Sequence, residues 1–336
     1  EINLSAECEP LSIVAGCVNV SSGQLFQVEH DFIGDTIDPI KLTRFYETNN
    51  YTETFLGLGF GCQFPLYATD LQYKTRHSYA LIEERNGFFL PYKSNDYVNH
   101  FIDSRVFEKG YTNLCNGYPS GQSNHINWLA LSFDKGWKVL QGDGTIRVYG
   151  KNFKLKGEIR RRLGLPTKSM FLLTEEIKPN GNRVKFDYVT FQDKPCLSKV
   201  WTINKLGNTL SYINFTHSNS GSVLESSCGK RVEYFHVQPN ENKLLSKVIS
   251  DQKGEYSYQK KSKIYFLNKP GGSFIEYTFQ DEGKVNKINK NGEIYKFTYE
   301  KHKTLVKNPL GYITSYEFND RNRLGLISYL DKGKPV

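Results

Sequence analysis

Residues Asn308 to Ile327 read NPLGYITSYEFNDRNRLGLI, and this stretch decides the fold. Gly311 follows a Pro-Leu and opens a turn. Tyr316 comes five residues later and Phe318 seven later. Asn319 and Asp320 then turn the chain, and Leu324 and Ile327 begin the return. The same frame recurs at Gly292 (Phe297, Tyr299), Gly272 (Tyr277, Phe279) and Gly181 (Phe186, Tyr188). Weaker copies keep the first aromatic: Gly229 with Tyr234, Gly207 with Tyr212, Gly144 with Tyr149. Gly254 carries a shortened version with Tyr256 and Tyr258. From Gly181 onward these glycines are 18 to 26 residues apart. A self-similar period of about 20 residues marks a repeating supersecondary unit.

The unit is a hairpin. Val184, Phe186 and Tyr188 alternate with Lys185 and Asp187; Ile275, Tyr277 and Phe279 alternate with Glu276 and Thr278; Tyr295, Phe297 and Tyr299 alternate with Lys296 and Thr298. A period of two places the aromatics on one face of a strand and the polar residues on the other. The return strand carries a second signature: Leu197-x-x-Val200, Leu245-x-x-Val248, Val285-x-x-Ile288 and Leu324-x-x-Ile327. Gly, Asn and Asp between strands supply the positive-φ positions that tight hairpins require. A lone hairpin is marginal in water, so neighbouring units must pair or stack to cover the aromatic face.

The frame G-x-x-x-x-Tyr-x-Phe-Asn followed by Asn-Arg-Leu-x-x-Ile resembles the YD repeat of the Rhs family, most closely at Asn308–Ile327. The N-terminal part adds to the resemblance. Pro10-Leu-Ser-Ile-Val-Ala-Gly16 with Ser22-Gly-Gln-Leu-Phe26 is similar to the entry of Rhs chains. Ile40-Lys-Leu-Thr-Arg-Phe-Tyr46 is similar to their L-x-L-x-R-x-Y strand, and Gly57-Leu-Gly59-Phe-Gly61 to the glycine-rich stretch after it. The likeness covers roughly residues 10–65 and 140–330. It implies a spiral β-sheet shell that encloses a toxic C-terminal domain and ends in an aspartyl self-cleaving D-P-x-G-L segment. Asn308-Pro-Leu-Gly311 has Asn for that Asp and lacks the following Leu. Neither a toxin domain nor a self-cleaving segment is therefore expected within these 336 residues.

Composition agrees with a β protein: 22 Tyr, 22 Phe, one Met and a mean hydropathy of −0.54. No apolar run reaches the roughly 18 residues a membrane helix needs. Net charge is +9, but residues 1–40 hold seven acids and no Lys or Arg. That asymmetry predicts an acidic first segment lying on a basic sheet rather than a nucleic-acid surface, since no nucleic-acid motif accompanies the charge. The six cysteines contain no C-x-x-C. Cys8 and Cys17 flank a short loop and would suit a disulfide in an exported protein, or stand as reduced thiols.

Little catalytic chemistry is legible. Gly57-x-Gly59-x-Gly61 would need a following helix to cradle phosphate, whereas Phe60, Cys62 and Phe64 continue a strand pattern. The seven histidines are scattered, none at metal-ligand spacing. Glu83-Glu84 and Glu175-Glu176 are adjacent on strands, so their side chains diverge. Residues 102–127 read as a long loop, and Arg160-Arg161-Arg162 as a basic turn.

The expected architecture is all-β: a curled antiparallel sheet of hairpin repeats, a partial Rhs-like shell. Residues 1–140 form a β-rich entry region and residues 141–336 the repeat array. The expected function is a non-enzymatic shell or scaffold segment that holds or presents another polypeptide, with a toxin-delivery role. The alternative is a secreted or surface module binding carbohydrate or envelope. No catalytic, cofactor or metal-binding residue is assigned. The expected partner is protein, cargo or further repeats, seated on a C-terminal edge formed by Tyr312, Tyr316 and Phe318, with glycan as a further ligand. Neither nucleic acid nor a transmembrane segment is expected, and the expected location is secreted or cell-surface.

Overall fold

Every glycine of the repeated frame lies at positive φ: Gly144, Gly181, Gly207, Gly229, Gly254, Gly272, Gly292 and Gly311 fall between 79° and 93°. The turns at Gly144, Gly181, Gly207, Gly229 and Gly311 share one construction. The Gly311 N–H donates to Asn308 O at 3.0 Å, as Gly181 does to Lys178 O and Gly207 to Asn204 O, each at 2.9 Å. In the clearest copy Pro309 pre-sets the turn, and the Asn308 side chain caps the Tyr312 N–H at 3.0 Å.

The computed structural model describes residues 13–15, 17–48, 53–62, 64, 67–72, 78–85, 88–94, 100–103, 129–133, 136–141, 143–154, 169–237, 244–280, 283–320, 324–331 and 334–335. Cys8, Asn86-Gly87, Arg160–Arg162 and most of the loop expected over residues 102–127 lie outside these. The described residues are nearly all strand, with no α-helix. The fold is an all-β curled sheet.

From Ile146–Lys154 to Lys334–Pro335, 17 strands follow one another, each antiparallel to the next. This run does not close on itself. On its other side the sheet continues through Gly136–Leu140 to Tyr67–Gln72, so it passes without a break through residues 140 and 141. Ser169–Ile177 pairs with Arg183–Phe191 through Glu175–Ile177, and with Tyr67–Gln72 through Phe171 and Leu172. That double pairing closes the strands between Tyr67 and Ile177 into a ring, while the later strands form the open curl.

The three-residue spacing on the return strands has a physical reason. Leu197 and Val200, Leu245 and Val248, and Val285 and Ile288 are all buried, although a regular pleat sends residues three apart to opposite faces. A bulge brings each pair back to one face. Asp187 pairs with Lys199 and Tyr188 with Leu197, leaving Ser198 outside the ladder. Ser246, Asn286 and Gly325 are skipped in the same way in later copies. A bulge bends its strand and adds twist, so repeating it at matching positions curls the sheet toward its aromatic face.

That concave face forms the core. Phe186, Tyr188, Tyr234, Tyr258, Tyr265, Tyr277 and Phe297 are all buried, and burying one such side chain contributes about 1.5–3 kcal/mol. What covers them is a second, three-stranded sheet, Phe26–Ile33, Lys41–Glu47 and Phe60–Cys62 in that order. Tyr46 stacks on Tyr265 with centroids 4.9 Å apart. Phe55 meets Phe215 and Tyr234 edge-on, and Phe64 packs on Phe186 at 4.5 Å. The entry segment is thus the inner layer of the array.

Candidate functional site

The site is the interface between the described residues of the stretch 17–64 and the concave wall. From Val20 to Asp38 the segment crosses the wall in reverse chain order. Thr304 Oγ1 donates to Val20 O at 2.6 Å, the Val285 N–H to Gly23 O at 2.9 Å, and Gln27 Nε2 to Tyr277 OH at 2.7 Å. Lys269 Nζ meets Glu29 Oε1 at 2.6 Å, and Ser250 Oγ donates to Asp31 O at 3.0 Å. Gln252 brackets the Ile33 backbone, accepting from its N–H and donating to its carbonyl, both at 3.0 Å. Lys230 pairs with Asp35 at 2.9 Å, and the amides of Asn180 and Asn182 both donate to Asp38 Oδ2 at 2.6 Å. The last four wall partners lie at or beside the glycine turns, so this part of the segment follows one rim. Gly23 needs its missing side chain: a Cβ there would lie 2.8 Å from the Lys284 side chain, at a φ of 74°.

The described part of the acidic first segment lies against the sheet, as its charge predicts; Glu1, Glu7 and Glu9 lie outside the described residues. Glu29, Asp35 and Asp38 reach lysines and asparagines of the wall. Asp31 does something different. His30 pairs with Thr43 and Phe32 with Leu42, leaving Asp31 as a bulge that turns inward. There Arg44 grips it with two bonds, Nε to Oδ2 and Nη2 to Oδ1, each 2.9 Å. Both side chains are at most 2% exposed. The wall completes the arrangement. Tyr234 OH donates to Asp31 Oδ2 at 3.0 Å, and Arg44 Nη1 donates to Tyr258 OH. The guanidinium carbon lies 5.1–5.9 Å from the ring centres of Tyr258, Tyr256 and Phe60. Burial drives the Tyr234 and Tyr258 hydroxyls well above the usual phenol range, so both remain neutral. Arg44 keeps its charge: Asp31 and Tyr258 outweigh the burial that opposes it. A charge pair removed from water is tolerated only with full hydrogen bonding, and here two elements of the segment and two of the wall supply it.

Chemically, this arrangement anchors; it does not expose a reactive group. His30 faces away from Asp31 and pairs with Thr43 Oγ1 at 2.9 Å. Glu175 and Glu176 take separate partners, Arg183 at 3.4 Å for the first, Arg147 at 2.9 Å and Lys178 at 2.8 Å for the second. The glycines at 57–61 lead into the strand Phe60–Cys62, which pairs with Lys41–Glu47. Cys17 is a buried free thiol that donates to Ala15 O at 3.4 Å. Burial pushes its pKa up to about 11. Among the described residues, no group of three or more His, Cys, Asp or Glu is placed to hold a metal, and no helix is long and apolar enough to cross a membrane.

The C-terminal aromatics separate from one another. Ile313–Phe318 is not an edge strand: it pairs with Lys303–Lys307 on one side and Leu324–Asp331 on the other. Phe318 is buried and Tyr316 half-buried, both joined to the core; only Tyr312 is exposed. The expected edge stripe is corrected accordingly. The exposed aromatics at this end are Tyr312 and Tyr329, at diagonal positions on neighbouring strands.

The sequence did not disclose the Asp31–Arg44 pair, although a signal was present. Leu42, Arg44 and Tyr46 share one face of a strand, and a charge on an apolar face requires a buried partner. The partner's identity depended on a bulge that no residue type announces.

No family profile matches the chain, and no curated protein does. Among solved structures, the Photorhabdus luminescens Tc holotoxin pore is similar over 91% of this chain and 21% of that one, with 9% identity and a TM-score of 0.46. The TcdB2–TccC3 structure is similar over 93% and 20%, at 10% identity and a TM-score of 0.40. The N-terminal domain of the Salmonella typhimurium effector SpvB is similar over 75% and 100%, at 9% identity and a TM-score of 0.32. The chain thus spans about a fifth of the length of the two Tc chains.

Proposed function

We propose that this chain is a non-enzymatic scaffold of the Rhs type, a curled sheet whose concave face holds polypeptide, in a secreted or surface-displayed, toxin-associated protein. The observation that supports this reading is the inner layer itself. The wall holds residues 17–64 through a row of carbonyl, carboxylate and aromatic contacts spanning Asn180 to Thr304, centred on the buried Asp31–Arg44 pair. Beyond Thr304 the same face continues with Tyr316, half-buried, and the exposed Tyr312 and Tyr329. On this reading, the exposed tyrosines of this end receive a further stretch of polypeptide.

A protease site inserted after Pro65 in the full chain tests the proposal. After cleavage, the N-terminal piece should co-elute with the remainder in gel filtration, and the complex should keep its melting temperature. Separation of the two pieces in native buffer would refute holding by the concave face.

A further inference from the structure

On the convex face of the array, three lysines stand in one row. Lys287 pairs with Lys296 and Lys296 with Lys307, on the successive strands Val285–Lys290, Glu293–Glu300 and Lys303–Lys307. Each adjoins a buried core residue, Ile288, Phe297 and Val306 in turn, so strand alternation turns all three outward. Neighbouring strands lie about 4.7–4.9 Å apart, and the row roots one cation on each. Lys296 and Lys307 are exposed, and neither makes an ion pair or hydrogen bond among the described residues. Lys287 reaches Glu276 at 3.4 Å.

Like charges directly opposite one another destabilise a sheet. Where charged residues oppose each other elsewhere in the described ladders, the signs differ: Lys185 with Glu175, Asp187 with Lys199, Arg231 with Glu225, and Lys303 with both Glu300 and Glu317. An unfavourable arrangement kept at one place, against the pattern of the rest, marks a functional position. The surroundings define the ligand. The row is flanked on its own face by neutral residues, Asn289 and Ile294 on one side, Thr298 and Leu305 on the other. Asn289 Oδ1 accepts from the Gly292 N–H at 2.9 Å, which leaves its amide N–H groups to donate. Thr298 is exposed, and Ile294 is 38% exposed. Acids return beyond these flanks: Glu276 opposes Asn289, and Glu300 and Glu317 stand two residues past Thr298 and Ser315. A broad anionic surface such as a bilayer would press on those acids, whereas one extended chain lying along the row meets only lysines. The row holds no arginine fork for phosphate and no aromatic on which a base could stack.

We propose that the row Lys287, Lys296 and Lys307 binds an extended acidic polysaccharide: sugar carboxylates at the lysines, hydroxyls at Asn289 and Thr298, and ring C–H groups on Ile294. The row lies on the opposite face of the sheet from the inner layer, so the site is independent of the scaffold reading.

The test is calorimetric titration of the full chain, at low salt, with an oligogalacturonate and with its methyl ester, which keeps the sugars and removes the charge. The proposal predicts saturable binding of the acid form that weakens as salt is added, and about tenfold weaker binding of the ester, the worth of two exposed ion pairs. Lys296→Glu sets an acid between two lysines. It should melt no lower than the parent and bind the acid form at least about tenfold more weakly. Lys260→Gln with Lys261→Gln removes the same net charge from exposed positions elsewhere in the sheet and should leave binding unchanged. Equal weakening by the two changes would reduce the effect to net charge and overturn the proposal. So would absence of saturable binding, or a Lys296→Glu change that abolishes binding to phosphatidylglycerol vesicles while oligogalacturonate binding survives.

Discussion

Two copies of one repeat, at Tyr277 and at Tyr316, are built alike and buried differently. Both have a glycine turn at positive φ, an alternating aromatic strand and a return strand with one bulged residue. Yet Tyr277 is 1% exposed, whereas Tyr316 is half-buried between Tyr312 and Tyr329, which are 54% and 70% exposed. The difference lies in the covering layer. Gln27 reaches Tyr277, and the last described wall contact of the segment's crossing is Val20 with Thr304, one strand short of Tyr316. The repeat therefore sets shape, and residues 17–64 set burial.

The largest expected effect comes from breaking the centre of that layer. Arg44→Ala leaves the Asp31 carboxylate buried and unpaired, and should cost about 3–5 kcal/mol in a urea melt. Replacing both partners together, Arg44→Met with Asp31→Leu, should cost much less, since apolar substitution of a whole buried pair is often close to neutral. Equal losses in the single and double variants would remove the pair from the account.

Next, Tyr277→Ala should cost about 3–5 kcal/mol, as large-to-small core changes do. Tyr316→Ala should cost well under half as much, having less burial to lose. Equal costs would mean that the uncovered end is as well packed as the covered one.

A turn glycine at positive φ is common to both regions, so its loss should not distinguish them. Gly292→Val and Gly311→Val each force a β-branched residue to a φ near 92° and should each cost about 1–3 kcal/mol. Parent-like melting of both variants would contradict the turn assignment.

A smaller effect tests the far end of the wall by pH. Burial opposes ionisation of Glu176, but Arg147 and Lys178 outweigh it and hold the carboxyl below the usual carboxylate range. A depressed folded-state pKa stabilises above the unfolded value, about 4.3, and that contribution fades as pH falls through the folded value. Glu176→Gln should therefore flatten the loss of stability below about pH 4. Smallest of all, the exposed Lys230–Asp35 pair should contribute little: Lys230→Ala should leave the urea midpoint within its scatter.

The sequence carried the wall well and the inner layer poorly. Glycine spacing located the turns, and alternation gave Phe186, Tyr188, Tyr277 and Phe297 their inward face, because both signals are local and periodic. The Leu-x-x-Val signature was visible in the sequence, but its meaning, a bulge, needed the ladder. The Tyr312, Tyr316 and Phe318 stripe was misread because a strand's two neighbours are not local information. The Asp31–Arg44 pair was hidden for the same reason: its hydroxyl partners, Tyr234 and Tyr258, are some 200 residues away in sequence. The acid-rich start was informative, since a charge asymmetry of that size predicts attraction without specifying contacts.

Hydrogen exchange on the intact chain tests the central claim most directly. If residues 17–64 cover the wall, amides of 274–290 and of 26–47 should exchange slowly together, and those of 313–330 measurably faster. Uniform protection across 274–330, or exchange of 26–47 at the rate of an unstructured peptide, would contradict it.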